Sequence, residues 1–162
     1  MNEDLNPKFE YYEDNLDYLA ESHFNVSKYC VYSSFIFVTN VIAGIYFKQY
    51  LYAGLFLLLT ITSVIHHSSK TKLTNLLDKI ALYSIIFYGG YKFYDHYKNA
   101  FDLKITIKYI LIVITFLSVV FLYTYGYLTN NYVFHHEYKI SQLYHVLMHL
   151  ISSFGHHIII AL

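Results

Sequence analysis

The segment LYAGLFLLLTIT at Leu51–Thr62 is almost entirely apolar, and it continues directly into SVIHHSSKTKLTNLLD at Ser63–Asp78. An apolar run of this kind, with further apolar stretches around it, predicts a helix that crosses a lipid bilayer. The polar residues at its end, Ser63 and His67, lie where water is scarce, so they cost free energy unless a site uses them. This junction therefore bears on both the fold and the function.

The composition of the whole chain agrees with a membrane protein. The 162 residues are 56% hydrophobic and only 14% charged, and they include 20 tyrosines and 13 phenylalanines. Because the formal net charge is zero, no basic excess indicates a nucleic-acid partner. The one cysteine, Cys30, excludes an internal disulfide framework and any metal site built from several cysteines.

Five apolar segments are long enough to be membrane helices, since a bilayer core of about 30 Å needs about 20 helical residues. They are Tyr29–Phe47, Gln49–Ile65, Leu73–Tyr91, Tyr109–Leu128 and Ile140–Leu162. We therefore predict an all-α fold, a polytopic transmembrane helix bundle with about five spans over residues 29–162, and a multi-pass integral membrane protein. The first two spans are separated by a very tight turn at Lys48.

Residues 1–28 differ in character from the rest of the chain. Most of the acidic residues and the only proline, Pro7, lie in this region, which we interpret as an acidic amphipathic segment. A secretory signal peptide would have a basic start and a short apolar core, and this segment has neither.

Polar residues within the predicted spans form a pattern typical of a catalytic zinc site. Ser63 and His67 are four residues apart and share a helix face, as do His145 and His149. Three imidazoles and an open position for water are a known catalytic zinc arrangement, here His67, His145 and His149. Asp78, at the start of the next helix, would orient the water and accept its proton, and Ser63 would stabilise the oxyanion. A pair of histidines in one apolar helix is equally compatible with packing or interhelical hydrogen bonds.

The combined pattern resembles the superfamily of alkaline ceramidases and adiponectin/progestin receptors, whose signature is SxxxH, then D, then HxxxH. The spacing of eleven residues from His67 to Asp78 is similar to that of the alkaline ceramidases. This resemblance implies a seven-helix membrane fold of endomembranes and a zinc-dependent amide hydrolase. Such an enzyme cleaves ceramide-like N-acyl sphingolipids of the bilayer to a sphingoid base and a fatty acid.

The N-terminal segment carries a second part of the resemblance. EYYEDN and AESHFNVSK are similar to the family segments DWCEEN and AEFWNTVSN, which also precede the first span. In the family this region binds calcium through oxygen ligands, which suit that ion. The positions that correspond to the family's calcium ligands are Glu10, Tyr11 through its carbonyl, Glu13, Asn15 and Glu21. The alternative is a solvated acidic face.

The chain departs from the family in ways that keep other functions open. It is shortened to five helices, and aligning its YHVL with the family's last helix puts Ser141 where the first histidine belongs. Either the histidine pair of the last helix is displaced by one turn, to His145 and His149, which we predict, or one ligand is lost. A catalytically inactive relative, a receptor or structural protein, is the main alternative. A haem protein with two axial histidines is a further one, and a homo-oligomer would complete a pocket that five helices leave open.

Overall fold

The computed structural model describes residues 28–69, 71–98 and 103–162. Within these ranges the protein is 89% helical without strands, which confirms the all-α prediction. Five helices follow one another along the chain: α1 Lys28–Tyr46, α2 Tyr50–Ser69, α3 Lys72–Tyr97, α4 Leu103–Thr129 and α5 Tyr138–Ile160. A short 3₁₀ helix, Tyr132–Phe134, lies between α4 and α5. The proposed calcium ligands in the N-terminal segment lie outside the described residues: Glu10, Tyr11, Glu13, Asn15 and Glu21.

Four of the five helices, α1, α2, α4 and α5, are long and apolar enough to cross a membrane. In α4 only 17% of the most apolar stretch is buried inside the protein, so its surface suits a lipid environment. Helix α3 forms over the predicted third segment but is not among the four. Its sequence includes Asp78, Lys79 and Asp95, whose charges lower its hydropathy.

The connection between α1 and α2 is the tight turn that the sequence predicts at Lys48. This residue has a φ of 59°, the left-handed conformation that ends many helices. The amide of Gln49 donates to the carbonyl of Gly44 at 2.7 Å, and that of Lys48 donates to Ile45 at 3.0 Å. These two bonds form a Schellman motif, which satisfies carbonyls at the end of α1 and turns the chain directly into α2.

Helix α1 tightens in its middle, at residues 35 and 36. The hydroxyls of Ser33 and Ser34 both donate to the carbonyl of Cys30, at 3.0 and 2.8 Å. The amides of Phe35 and Ile36 bond three residues back instead of four. Serine hydroxyls that bond to the preceding turn compete with the helical bonds, and this tightened turn lies beside the polar cluster described below.

The core lies where α1, α2 and α5 meet. Helix α1 packs on α2 and α5. Helix α3 packs on α2, and α4 packs on α5. The largest fully buried side chains are Tyr52, Phe56 and Ile160 of α2 and α5, and Ile85 of α3. The close approach of α1 and α2 requires Gly44, because a Cβ there would lie 3.0 Å from the backbone nitrogen of Ala53. This arrangement brings the polar faces of α1, α2 and α5 together.

Candidate metal centre

Helix α5 presents a row of polar side chains to the other helices. They recur every three or four residues, which keeps them on one face: Gln142, His145, His149, Ser153 and His156. Four of these five side chains have a hydrogen-bond partner on another helix. One such pair, Ser153 with Asn40, is buried. Asn40 donates to the carbonyl of Ser153 at 2.9 Å and accepts from its hydroxyl at 2.5 Å. Polar groups buried in this way are tolerated because they are hydrogen-bonded.

The three histidines predicted as zinc ligands lie together. The ring centres of His67 and His145 are 4.8 Å apart, as are those of His145 and His149, and His67 and His149 are separated by 5.6 Å. His67 and His149 are buried, with 7% and 9% of their surfaces exposed. Among the described residues, the ligand atoms of His67 and His145 belong to a group close enough to hold a metal ion, and those of His149 do not, so the ligand role of His149 stays a prediction.

A hydroxyl of α1 fixes the orientation of His149. The Ser33 oxygen lies 2.8 Å from Nδ1 of His149 and 3.0 Å from the carbonyl oxygen of Cys30, and since a carbonyl only accepts, we assign the hydroxyl hydrogen to Cys30. The hydroxyl therefore acts as acceptor for His149, whose Nδ1 carries the proton. Consequently Nε2 of His149 keeps its lone pair for a metal, as in metal sites where a second partner orients the ligating imidazole.

Ser63, the predicted oxyanion group, is also held by α1. Only 1% of its surface is exposed, and its hydroxyl lies 3.0 Å from that of Ser34. Either hydroxyl can be the donor in this pair. Ser63 is thus hydrogen-bonded on the same α2 face as His67, one turn away.

Cys30, for which no role was predicted from the sequence, lies within this site. The sulfur of Cys30 and one ring nitrogen each of His67 and His145 all lie within 4.8 Å of one another, close enough to bind a metal ion. Cys30 is fully buried and its thiol donates to the side-chain oxygen of Gln142 at 2.7 Å. The sequence indicates this polar face of α1 through the spacing of Cys30, Ser33 and Asn40, which places them on one side of the helix.

Asp78, the predicted proton acceptor, lies outside this closest group of ligand atoms. Its carboxylate accepts a hydrogen bond from Thr62 at 3.3 Å and its side chain is half-buried. Thr62 precedes Ser63 and points about 100° away from it around α2. The structure therefore places Asp78 beside the serine-and-histidine face and not within it, and its catalytic role stays a prediction.

His156 is half-buried between three helices. Its Nδ1 lies 2.6 Å from the hydroxyl of Tyr52, and its ring packs against Phe56 with the centres 5.2 Å apart. Gly89 of α3 makes room for this pair, since a Cβ there would lie 2.7 Å from the Tyr52 hydroxyl. His156 thus holds α5, α2 and α3 together.

The compactness of the histidine cluster bears on the haem alternative. The rings of His67, His145 and His149 contact each other directly. A haem bound by two axial histidines needs its macrocycle between the two rings. The arrangement therefore favours a single small ion.

Comparison of the chain with protein-family models, curated proteins and solved structures finds no match.

Proposed function

We propose that this protein is a multi-pass membrane hydrolase that uses a zinc ion to cleave the amide bond of ceramide-like N-acyl lipids. The observation that carries the proposal is the buried cluster of His67, His145 and His149, which brings three imidazoles from two helices together. The motif resemblance to alkaline ceramidases supplies the substrate class. Endomembrane localisation and a calcium ion at the N-terminal segment belong to the same proposal.

The roles of the residues follow from their chemistry. His67 and His145, with His149 as the predicted third ligand, would hold the metal, and zinc bound there would supply a water that is activated for attack at neutral pH. Ser63 donates its hydroxyl hydrogen to the oxyanion that develops on the substrate carbonyl. Asp78, whose carboxylate accepts from Thr62 beside the site, would accept the proton of the attacking water.

The first test is the metal content of the full chain purified in detergent, measured together with hydrolysis of a fluorescent N-acyl sphingosine. We expect about one zinc per chain in the wild type. His67→Ala should lose both metal and hydrolysis. The matched control is His136→Ala, because His136 is exposed in the segment between α4 and α5. A wild type without zinc, or a His67→Ala variant that keeps it, contradicts the metal centre.

A second variant tests the chemistry apart from the metal. Asp78→Asn keeps the size and the acceptor oxygen for Thr62 but cannot take a proton at neutral pH. We expect zinc to stay bound while hydrolysis falls by about 10² to 10⁴, the usual contribution of a general base. Undiminished hydrolysis in Asp78→Asn would show that another group accepts the proton.

A metal-binding membrane protein without hydrolytic activity is the second candidate. The position of Cys30 favours it, because a sulfur next to His67 and His145 adds a donor to the three histidines. Zinc sites with four protein ligands are usually structural. Stoichiometric zinc together with no hydrolysis of any N-acyl lipid would support this candidate over the hydrolase.

A further inference from the structure

The thiol of Cys30 faces the histidine cluster from a third helix. Its sulfur lies within 4.8 Å of one ring nitrogen of His67 and of one ring nitrogen of His145. These two nitrogens also lie within 4.8 Å of each other. None of its surface is exposed. A soft sulfur donor and two imidazole donors therefore converge on one point inside the bundle.

Several contacts hold Cys30 in this position. Its thiol bonds to Gln142, three residues before His145 on the same face of α5. Its carbonyl accepts from both Ser33 and Ser34, whose hydroxyls also contact the site. The sulfur is thus placed by α1 and α5 together, and not by local sequence alone.

We propose that Cys30 is a ligand of the metal, so that the centre binds through one thiolate and the imidazoles of His67 and His145, with His149 beside them. This inference rests on the metal centre of the proposed function but not on its hydrolytic chemistry. The donor set selects zinc, cobalt or cadmium, which accept sulfur and imidazole. It disfavours magnesium and calcium, which bind oxygen ligands.

Binding requires the thiol to lose its proton, because the thiolate is the ligating form. The S–H bond breaks, a sulfur–metal bond forms and the proton passes to solvent. Gln142, which accepts from the thiol, carries an NH₂ group as well as an oxygen. Rotation of its amide turns an N–H towards the thiolate and keeps the sulfur hydrogen-bonded.

The sulfur ligand has a consequence for the proposed hydrolysis. One thiolate and the imidazoles of His67 and His145 would be three protein ligands, which leave one position of a tetrahedral site for His149 or for a water. If His149 took that position, a water would bind only in its place or as a fifth ligand. Replacing Cys30 would thus change the coordination of the ion without touching the three histidines.

Cobalt substitution of the full chain in detergent tests the proposal directly. A thiolate bound to Co²⁺ gives an intense charge-transfer absorption in the near ultraviolet, which imidazole ligands do not give. Because Cys30 is the only cysteine, such a band in the wild type can arise only from it. We expect the band in the wild type and its loss in Cys30→Ser, with cobalt bound at least about tenfold more weakly, as expected when a ligand is lost.

Three outcomes separate this proposal from the function on which it rests. Bound cobalt without the band in the wild type overturns the Cys30 ligand and leaves the histidine centre intact. No cobalt binding at all overturns both. If Cys30→Ser fails to fold, the wild-type spectrum still decides the question. Met148→Leu, which removes the methionine sulfur of α5, should keep the band in full.

Discussion

The Ser33→Ala substitution gives the sharpest test of how the structure prepares the metal site. Ser33 accepts from Nδ1 of His149 at 2.8 Å while donating to the Cys30 carbonyl. Removing the hydroxyl leaves the Nδ1 hydrogen of a buried histidine unpaired, and it frees the ring to take the other tautomer. Either result weakens the presentation of Nε2 of His149 to the ion.

The size of the effect follows from the burial of the contact. An unsatisfied buried donor costs about 1–3 kcal/mol. The loss of a partner that orients a metal-ligating histidine usually lowers metal affinity by about 10- to 100-fold, which is about 1.4–2.8 kcal/mol. The two ranges agree, so Ser33→Ala should bind zinc about 10- to 100-fold more weakly in competition with a chromophoric chelator.

Thr39 on the same helix provides a matched control. Its hydroxyl donates to the Ile36 carbonyl and lies 2.8 Å from Nε2 of His157, a similar contact remote from the cluster. Thr39→Ala should therefore leave zinc affinity unchanged. If Ser33→Ala retains wild-type affinity, the assigned tautomer of His149 is wrong. If both variants weaken zinc equally, the cause is a change in α1 and not the orientation of one imidazole.

Three further predictions concern packing and protonation. Gly44→Ala should lower the thermal unfolding temperature in detergent, because overpacking against Ala53 costs about 1–3 kcal/mol and outweighs the helix propensity gained; Gly54→Ala, whose new Cβ meets no atom within 4 Å, should not lower it. Asn40→Ala should cost about 1–3 kcal/mol of stability through two lost hydrogen bonds to Ser153, and a double-mutant cycle without a coupling energy would contradict that pairing. Zinc affinity, followed by chelator competition, should fall as the pH is lowered, because imidazole and thiol ligands bind only when deprotonated; an affinity independent of pH would argue against these ligands.

Helix positions and the pairing of residues within one helix were predictable from the sequence. The apolar segments gave all five helices, and the turn at Lys48 was placed at the right residue. Spacings of four put Ser63 beside His67 on one face, and His145 beside His149. These features are local, since they depend on the hydropathy of consecutive residues and on the period of the helix.

Contacts between helices were not predictable in the same way. The bond from Cys30 to Gln142 joins residues 112 positions apart, and that from Ser33 to His149 joins residues 116 apart. A helix can bury its polar face against any neighbour, so the sequence does not state which residue will meet His149 or that Asp78 will meet Thr62.

The sequence by itself therefore determined an apolar helical chain with histidines at metal-ligand spacing, because transfer free energy and helical period act on each segment separately. Only the tertiary structure decided that Cys30 joins the histidines and that Asp78 stands beside them. The physical reason is that the rotation of α1 about its axis is set by its packing on α2 and α5, including the close contact of Gly44 with Ala53.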